Sequence, residues 1–199
     1  MRWHTLNVLP ALLFLTPASI SIAPGDADLA VQPESRIRVS GTSTVKSFEC
    51  AATDFTVNIA SASDAVAATL AGTQAVTTVE LLVPGSKLDC SNGTMNEHML
   101  KALKAKEHPT IAFHLASYAL AKAADSVQVT MDGTLAMGGV ERPITLLAHA
   151  TAGPDGTLRL VGSHELRMKE WGLKPPSLML GTMKVNEKVT VAFDLLLKD

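Results

Sequence analysis

The chain has 199 residues, with 17 Lys plus Arg against 19 Asp plus Glu, and 4% of its residues are aromatic. That length supports one domain with a sizeable core. A nucleic-acid footprint needs clustered positive charge with aromatics interleaved, so binding to nucleic acid is not expected.

Residues 1–23 read as a secretory signal peptide. Arg2 gives a positive start, residues 6–15 a short apolar run, and Ala18, Ser19, Ser21 and Ala23 offer small residues for cleavage. A membrane anchor needs roughly 20 apolar residues, whereas this run is shorter and is broken by Pro10 and Pro17. No stable membrane span is expected after cleavage, and a secreted or periplasmic location follows. Residues 24–35 are expected to be a flexible lead into a domain spanning 36–199.

The domain reads as strand after strand. Residues 36–50 form a long first segment with a bend expected near Gly41. Phe55, Val57 and Ile59 mark a second strand, and residues 60–71 a small-residue connection. Val79, Leu81 and Val83 then share one face of a strand ending at Pro84-Gly85. Residues 93–115, GTMNEHMLKALKAKEHPTIAFHL, hold the one substantial helix, expected at 95–106. Thr94 and Glu97 make a capping box, Met99, Leu100 and Leu103 an apolar stripe, and Pro109 the stop. Ile111, Phe113 and Leu115 resume the alternation, followed by Val127, Val129, Met131, Leu135 and Met137. Gly138-Gly139 signals a hairpin, Pro143 falls where the strand of residues 144–150 begins, and Pro154-Asp155-Gly156 makes a tight turn. Leu158, Leu160, His164, Leu166 and Met168 share one face, and Val189, Val191, Phe193, Leu195 and Leu197 line a last strand.

About eight strands joined mostly by short turns favour antiparallel pairing, with one face apolar and the other wet. A flat sheet of that size leaves edges and an uncovered apolar face, and curling it into a barrel removes both. The fold class expected is therefore all-β, an antiparallel barrel of roughly eight strands with one short helix.

Cys50 and Cys90 are the only cysteines. In an oxidising compartment they are expected to pair, enclosing about 40 residues, which the chain-entropy model values at roughly 3–4 kcal/mol. Two free buried thiols or a catalytic thiol are the alternatives, though no Cys-x-x-Cys or Cys-His signature supports the last.

Catalytic and metal constellations do not emerge. His98, His108, His114, His149 and His164 show neither His-x-His nor His-Glu-x-x-His spacing, and Gly-x-Ser-x-Gly is missing. His98 reads as lying on the exposed side of the helix. His164 is different, because alternation puts it on the apolar face, where an imidazole needs a protein or ligand partner. No catalytic residue, cofactor or metal is expected. The stretch WGLKPPSLMLGTMK at 171–184 is apolar for a loop. It reads either as a plug that buries Leu178 and Leu180 or as the rim of a cavity.

Four segments in order carry a resemblance: GTSTVKSF at 41–48, the helix-bearing stretch at 93–115, GTLAMGGVERPITL at 133–146, and LRMKEWGLKPPSLMLGTMKVNEKVTVAFDL at 166–195. With these the chain resembles the YceI-like family of bacterial lipid- and polyisoprenoid-binding proteins over about residues 36–198. It departs from related sequences at Lys46 and Phe48, where His and Trp are common. The resemblance implies a lipocalin-like barrel with an elongated apolar channel, and a long-chain isoprenoid or related lipid as partner. On that reading the inward residues Phe55, Val57, Val79, Leu81, Ile111, Phe113, Val129, Met131, Leu160, Val191 and Phe193 offer apolar walls, with His164 as a head-group contact. Met99 and Leu103, with Leu178 and Met179, would gate an open end. Gly133 and Ala148, small at inward positions, favour a tunnel. The alternative is a barrel packed by its own side chains, serving protein interaction or structure. Balanced charge does not decide the oligomeric state, and a homodimer is one option.

Overall fold

The computed structural model describes residues 27–178 and 182–199; the signal peptide expected at 1–23 lies outside them. Strands β1 (Ala27–Asp28), β2 (Ala30–Val31), β3 (Arg36–Ser43), β4 (Ser47–Ala52) and β5 (Thr56–Ser61) precede a short helix, α1 (Ala65–Leu70). After β6 (Val76–Pro84) and β7 (Leu88–Asp89) comes α2 (Gly93–Ala102). The chain then runs through β8 (Thr110–Lys122), β9 (Val127–Met137), β10 (Val140–Ala152), β11 (Leu158–Arg167), β12 (Ser177–Leu178) and β13 (Met183–Lys198). Every strand pairing is antiparallel, and the wall runs β5-β6-β8-β9-β10-β11-β13-β3-β4, with β7 beyond β4. The result is a curled, lipocalin-like sheet with its apolar face inward.

Closure is partial. Among the described residues no ladder joins β4 to β5 along the seam between the two ends of the wall. Residues 27–31, expected within the flexible lead, instead stitch one end of that seam. Ala27 and Asp28 pair with Ser61 and Ala60 of β5, while Ala30 and Val31 pair with Lys198 and Leu197 of β13. Leu29 lies between the two pairings and is only 3% exposed. At the same end α1 buries Ala65, Val66 and Thr69, and the Asp199 carboxylate accepts from the Val66 N–H at 3.3 Å.

Several local expectations change. Residues 36–50 are a hairpin, not one bent strand, and the turn falls at 44–46 rather than at Gly41. Gly41 stays in register opposite Phe48, whose ring lies where a glycine Cβ would be, at 2.6 Å. Helix α2 starts earlier than expected because Asn92, not Thr94, is its N-cap, accepting from the Met95 N–H at 2.9 Å. It also ends earlier, with Lys104 in the left-handed region (φ 54°) before Pro109 is reached. Pro143 sits inside β10 opposite Thr134 rather than at the strand's start. The Gly138-Gly139 hairpin has both φ values positive, 58° and 82°, as a primed turn requires.

The wet face is laced by ion pairs, two between strands and one from the turn after β11. Arg159 Nε donates to Asp194 at 2.8 Å, Lys188 reaches Glu165 at 2.8 Å, and Lys169 reaches Glu187 at 2.7 Å. Each carboxylate is held below its ordinary range, first by the hydrogen bond from its basic partner. All three pairs are solvent-exposed and add little stability individually.

Candidate functional site

The inner faces of the strands do not meet. They border a cavity of about 770 Å³, lined mainly by aliphatic and aromatic side chains from β3 to β13 and from α2. Its two ends differ. Leu29, Leu158 and Leu197 lie at the stitched end. Ser43, Lys46 and Val185 lie at the other, where β13 begins and the β3–β4 turn projects. Near that second end a buried pad covers the wall. Trp171 is 2% exposed and donates from Nε1 to the Leu135 carbonyl at 3.1 Å, with buried Leu173 beside it.

Of the residues expected to form the walls, Val57, Val79, Leu81, Ile111, Phe113, Val129, Met131, Leu160, Val191 and Phe193 all line the cavity. Phe55 does not. It lies just before β5, in step with Val57 and Ile59, and packs half-buried against the core without reaching the cavity. His164 lines the cavity opposite Val191 of β13, and among the described residues no protein group hydrogen-bonds its imidazole. His98, expected on the exposed side of the helix, is half-buried and lines the cavity. It shares one helical face with Met95, Met99 and Ala102, which also line the cavity.

Met99 and Leu103 also line the cavity. Met179 lies outside the described residues, as do the side chain of Leu178 and all of Leu180. The apolar loop at 171–184 is therefore anchored by Trp171 and Leu173 among its described residues, and Pro176 contributes to the lining. Sequence reading missed Ile37, Val39, Tyr118, Leu120 and Leu146, all of them lining residues. Extending the same alternation along β3 and β10 would have found Ile37, Val39 and Leu146, whereas Tyr118 and Leu120 fall out of step with Ile111, Phe113 and Leu115 because the register shifts between Leu115 and Ser117. Tyr118 has a further role: its hydroxyl accepts from the Ala75 and Val76 N–H groups at 2.8 and 2.9 Å, tying β8 to the start of β6.

Neither small residue expected to widen a tunnel does so directly. Ala148 is fully buried away from the cavity, and the Phe113 ring covers Gly133, 2.6 Å from where a Cβ would stand. The Phe193 ring covers Gly162 in the same way. Glycine lets these rings lie flat on the wall, so their bulk stays out of the lumen.

The expected disulfide is present. Cys50 of β4 is bonded to Cys90, which follows β7, and both residues line the cavity. The bond fixes the connection leading into α2. Asn96 holds the same connection by accepting from the Cys90 N–H at 2.8 Å and donating to Asp89 at 2.8 Å. No group of three His, Cys, Asp or Glu side chains among the described residues could hold a metal ion, and no helix among them is long and apolar enough to cross a membrane.

A profile of the YceI-like domain matches residues 30–197. Among solved structures, BcnA of Burkholderia cenocepacia is 16% identical, with a TM-score of 0.65 over 84% of this chain and 99% of that one. A polyisoprenoid binding domain from Saccharophagus degradans, implicated in plant cell wall breakdown, is 12% identical, with a TM-score of 0.58 over 86% and 97% of the two chains. The YCEI protein of Campylobacter jejuni is 15% identical, with a TM-score of 0.56 over 94% and 99%. At these identities the likeness establishes the fold alone. Comparison with curated proteins finds no match.

Proposed function

The chain belongs to the YceI-like domain family, and from that premise we propose that it binds a long apolar lipid of isoprenoid type in its cavity, carrying or sequestering it without catalysis. The observation that carries this reading is the cavity itself. Packed cores hold few voids larger than a water, whereas about 770 Å³ of apolar-walled space is the size of a ligand site, typically roughly 300–1,000 Å³. A barrel serving only as a structural or interaction module has no use for such a volume. Each CH₂ that a lipid tail buries there gains about 0.8 kcal/mol, so a long chain binds with few polar contacts. The neighbour from Saccharophagus degradans, described as polyisoprenoid binding, supports the ligand class. The Cys50–Cys90 bond supports an oxidising compartment, in keeping with secretion to the periplasm behind a cleaved leader at 1–23.

The test is lipid extraction and mass spectrometry on protein purified from its own host, parent beside Met131→Trp. Met131 lines the cavity half-buried, and an indole there fills space a tail would occupy. The variant should keep the strand spectrum and lose most copurifying lipid. Phe113→Asp should lose lipid too, at a larger cost in stability. A folded Met131→Trp protein that retains as much lipid as the parent overturns the proposal.

A further inference from the structure

The Cys50–Cys90 bond faces the cavity. Cys50 is 3% exposed and Cys90 7%, and both line the lumen. A reductant therefore reaches the sulfurs from inside, through the space that a lipid tail is proposed to fill. The Met99 thioether, on the inward face of α2, lies 3.7 Å from Cys90 Sγ and narrows that approach further. The chain holds no third cysteine, so the bond has two states, closed and open.

Other ties on the segment it anchors lie to either side of the helix. Before Cys90, Leu88 and Asp89 pair with Ala52 and Ala51, and the Thr53 N–H donates to the Lys87 carbonyl at 2.7 Å. After it, Asn96 bonds the Cys90 N–H and Asp89, contacts that stay within the segment itself. Past the helix, the Gly85 N–H donates to the Pro109 carbonyl at 2.7 Å. Between these points α2 has no fully buried residue, yet Met95, His98 and Met99 border the cavity, with Leu103 just after them. The helix is thus one wall of the lumen, fastened covalently near its N-terminus.

We infer that Cys50–Cys90 is a redox latch coupled to the cavity: a dithiol opens it in the empty protein, and a bound tail shields it. This rests on the lipid-binding reading above and adds a regulation of the same site. A thiolate of the dithiol attacks one sulfur, forming a mixed disulfide and expelling the other cysteine as thiolate. The second thiol of the dithiol then attacks the mixed disulfide and releases the first cysteine. Two electrons and two protons pass to the cysteines, and the dithiol leaves as its own disulfide. Opening frees α2 to move away from the lumen, so the open form holds lipid less tightly. Reciprocity then requires lipid to favour the closed form by the same factor.

The experiment uses delipidated full-length mature protein, geranylgeraniol as the lipid probe and dithiothreitol as the dithiol. Labelling of Cys50 and Cys90 by iodoacetamide, counted by mass spectrometry, gives the reduction rate, while circular dichroism follows the strands. Lipid at about ten times its Kd leaves roughly one protein in eleven empty, so reduction should slow about tenfold. The variant carrying both Cys50→Ala and Cys90→Ala should bind geranylgeraniol at least about fivefold more weakly than the oxidised parent. Equal reduction rates with and without bound lipid overturn the latch and leave the cavity reading standing. So does a folded double variant that binds as tightly as the parent. Reduction of the empty protein that accelerates with urea as steeply as global unfolding also overturns it, because attack then needs the unfolded chain. Geranylgeraniol that fails to bind the oxidised parent overturns the cavity reading as well.

Discussion

Glycine and phenylalanine act as pairs on the inner wall. Gly41 faces Phe48 and Gly162 faces Phe193 across directly paired positions, and Phe113 covers Gly133 diagonally. In Gly162→Ala the new methyl would meet the Phe193 ring and, at 2.6 Å, the Leu147 carbonyl, and a paired backbone cannot retreat. Overpacking of this kind costs about 1–3 kcal/mol. In Gly41→Ala the methyl meets only side-chain atoms, of Phe48 and Val189, which can turn aside. Thermal melts of the two variants should therefore rank Gly162→Ala clearly below Gly41→Ala, and equal midpoints would refute the pairing argument. Apolar positions such as Val57, Leu81 and Met131 were legible from period-two alternation alone. The glycine pairs were not, because a glycine in a strand looks like a break until the ring that covers it is known.

At the scale of elements, long alternating strands were read well and the connections less so. The helix was foreseen because its apolar stripe and flanking turns are local signals. Its start was misplaced because Thr94-x-x-Glu97 and Asn92 are both plausible caps, and only the tertiary position of Cys90 favours Asn92. The 36–50 hairpin was missed because its turn, Thr44-Val45-Lys46, holds no Gly or Pro and is set by the Ser43 hydroxyl. Between β6 and β8 the chain is tied to β4 by a two-residue ladder and by the bond between Cys50 and Cys90, 40 residues apart in sequence. α2 has no fully buried residue, so the covalent tie carries much of its placement. Replacing both cysteines with alanine should lower unfolding free energy by roughly 3–4 kcal/mol, read from urea midpoints. Reducing the parent should reproduce that loss, and alkylation without reductant should label neither cysteine. A double variant with an unchanged midpoint would show that α2 is held by packing alone.

For the whole molecule, the number of strands and the inward apolar faces pointed to a closed barrel, but no local pattern announces how a seam is shut. Here a segment that reads as a polar, proline-containing lead does part of the work. Ala27 and Asp28 pair with β5, and Ala30 and Val31 with β13, leaving Leu29 to plug the seam between them from inside. The family match beginning at residue 30 takes in β2 but not β1, so half of this stitch lies outside the matched region. If the stitch closes the apolar end of the cavity, it governs both stability and retention of the tail. Leu29→Ala should cost about 2–5 kcal/mol, the range for truncating a buried leucine. It should also speed loss of bound lipid, because the opening would lie at one end of the cavity. A chain starting at Gln32 should retain still less lipid while keeping most of its strand signal, since β3 to β13 are intact. The measurement is the off-rate of a fluorescent isoprenoid from parent, Leu29→Ala and truncated protein, taken beside urea melts. An off-rate that is the same in all three would place the exit at the other mouth and make the stitch purely structural.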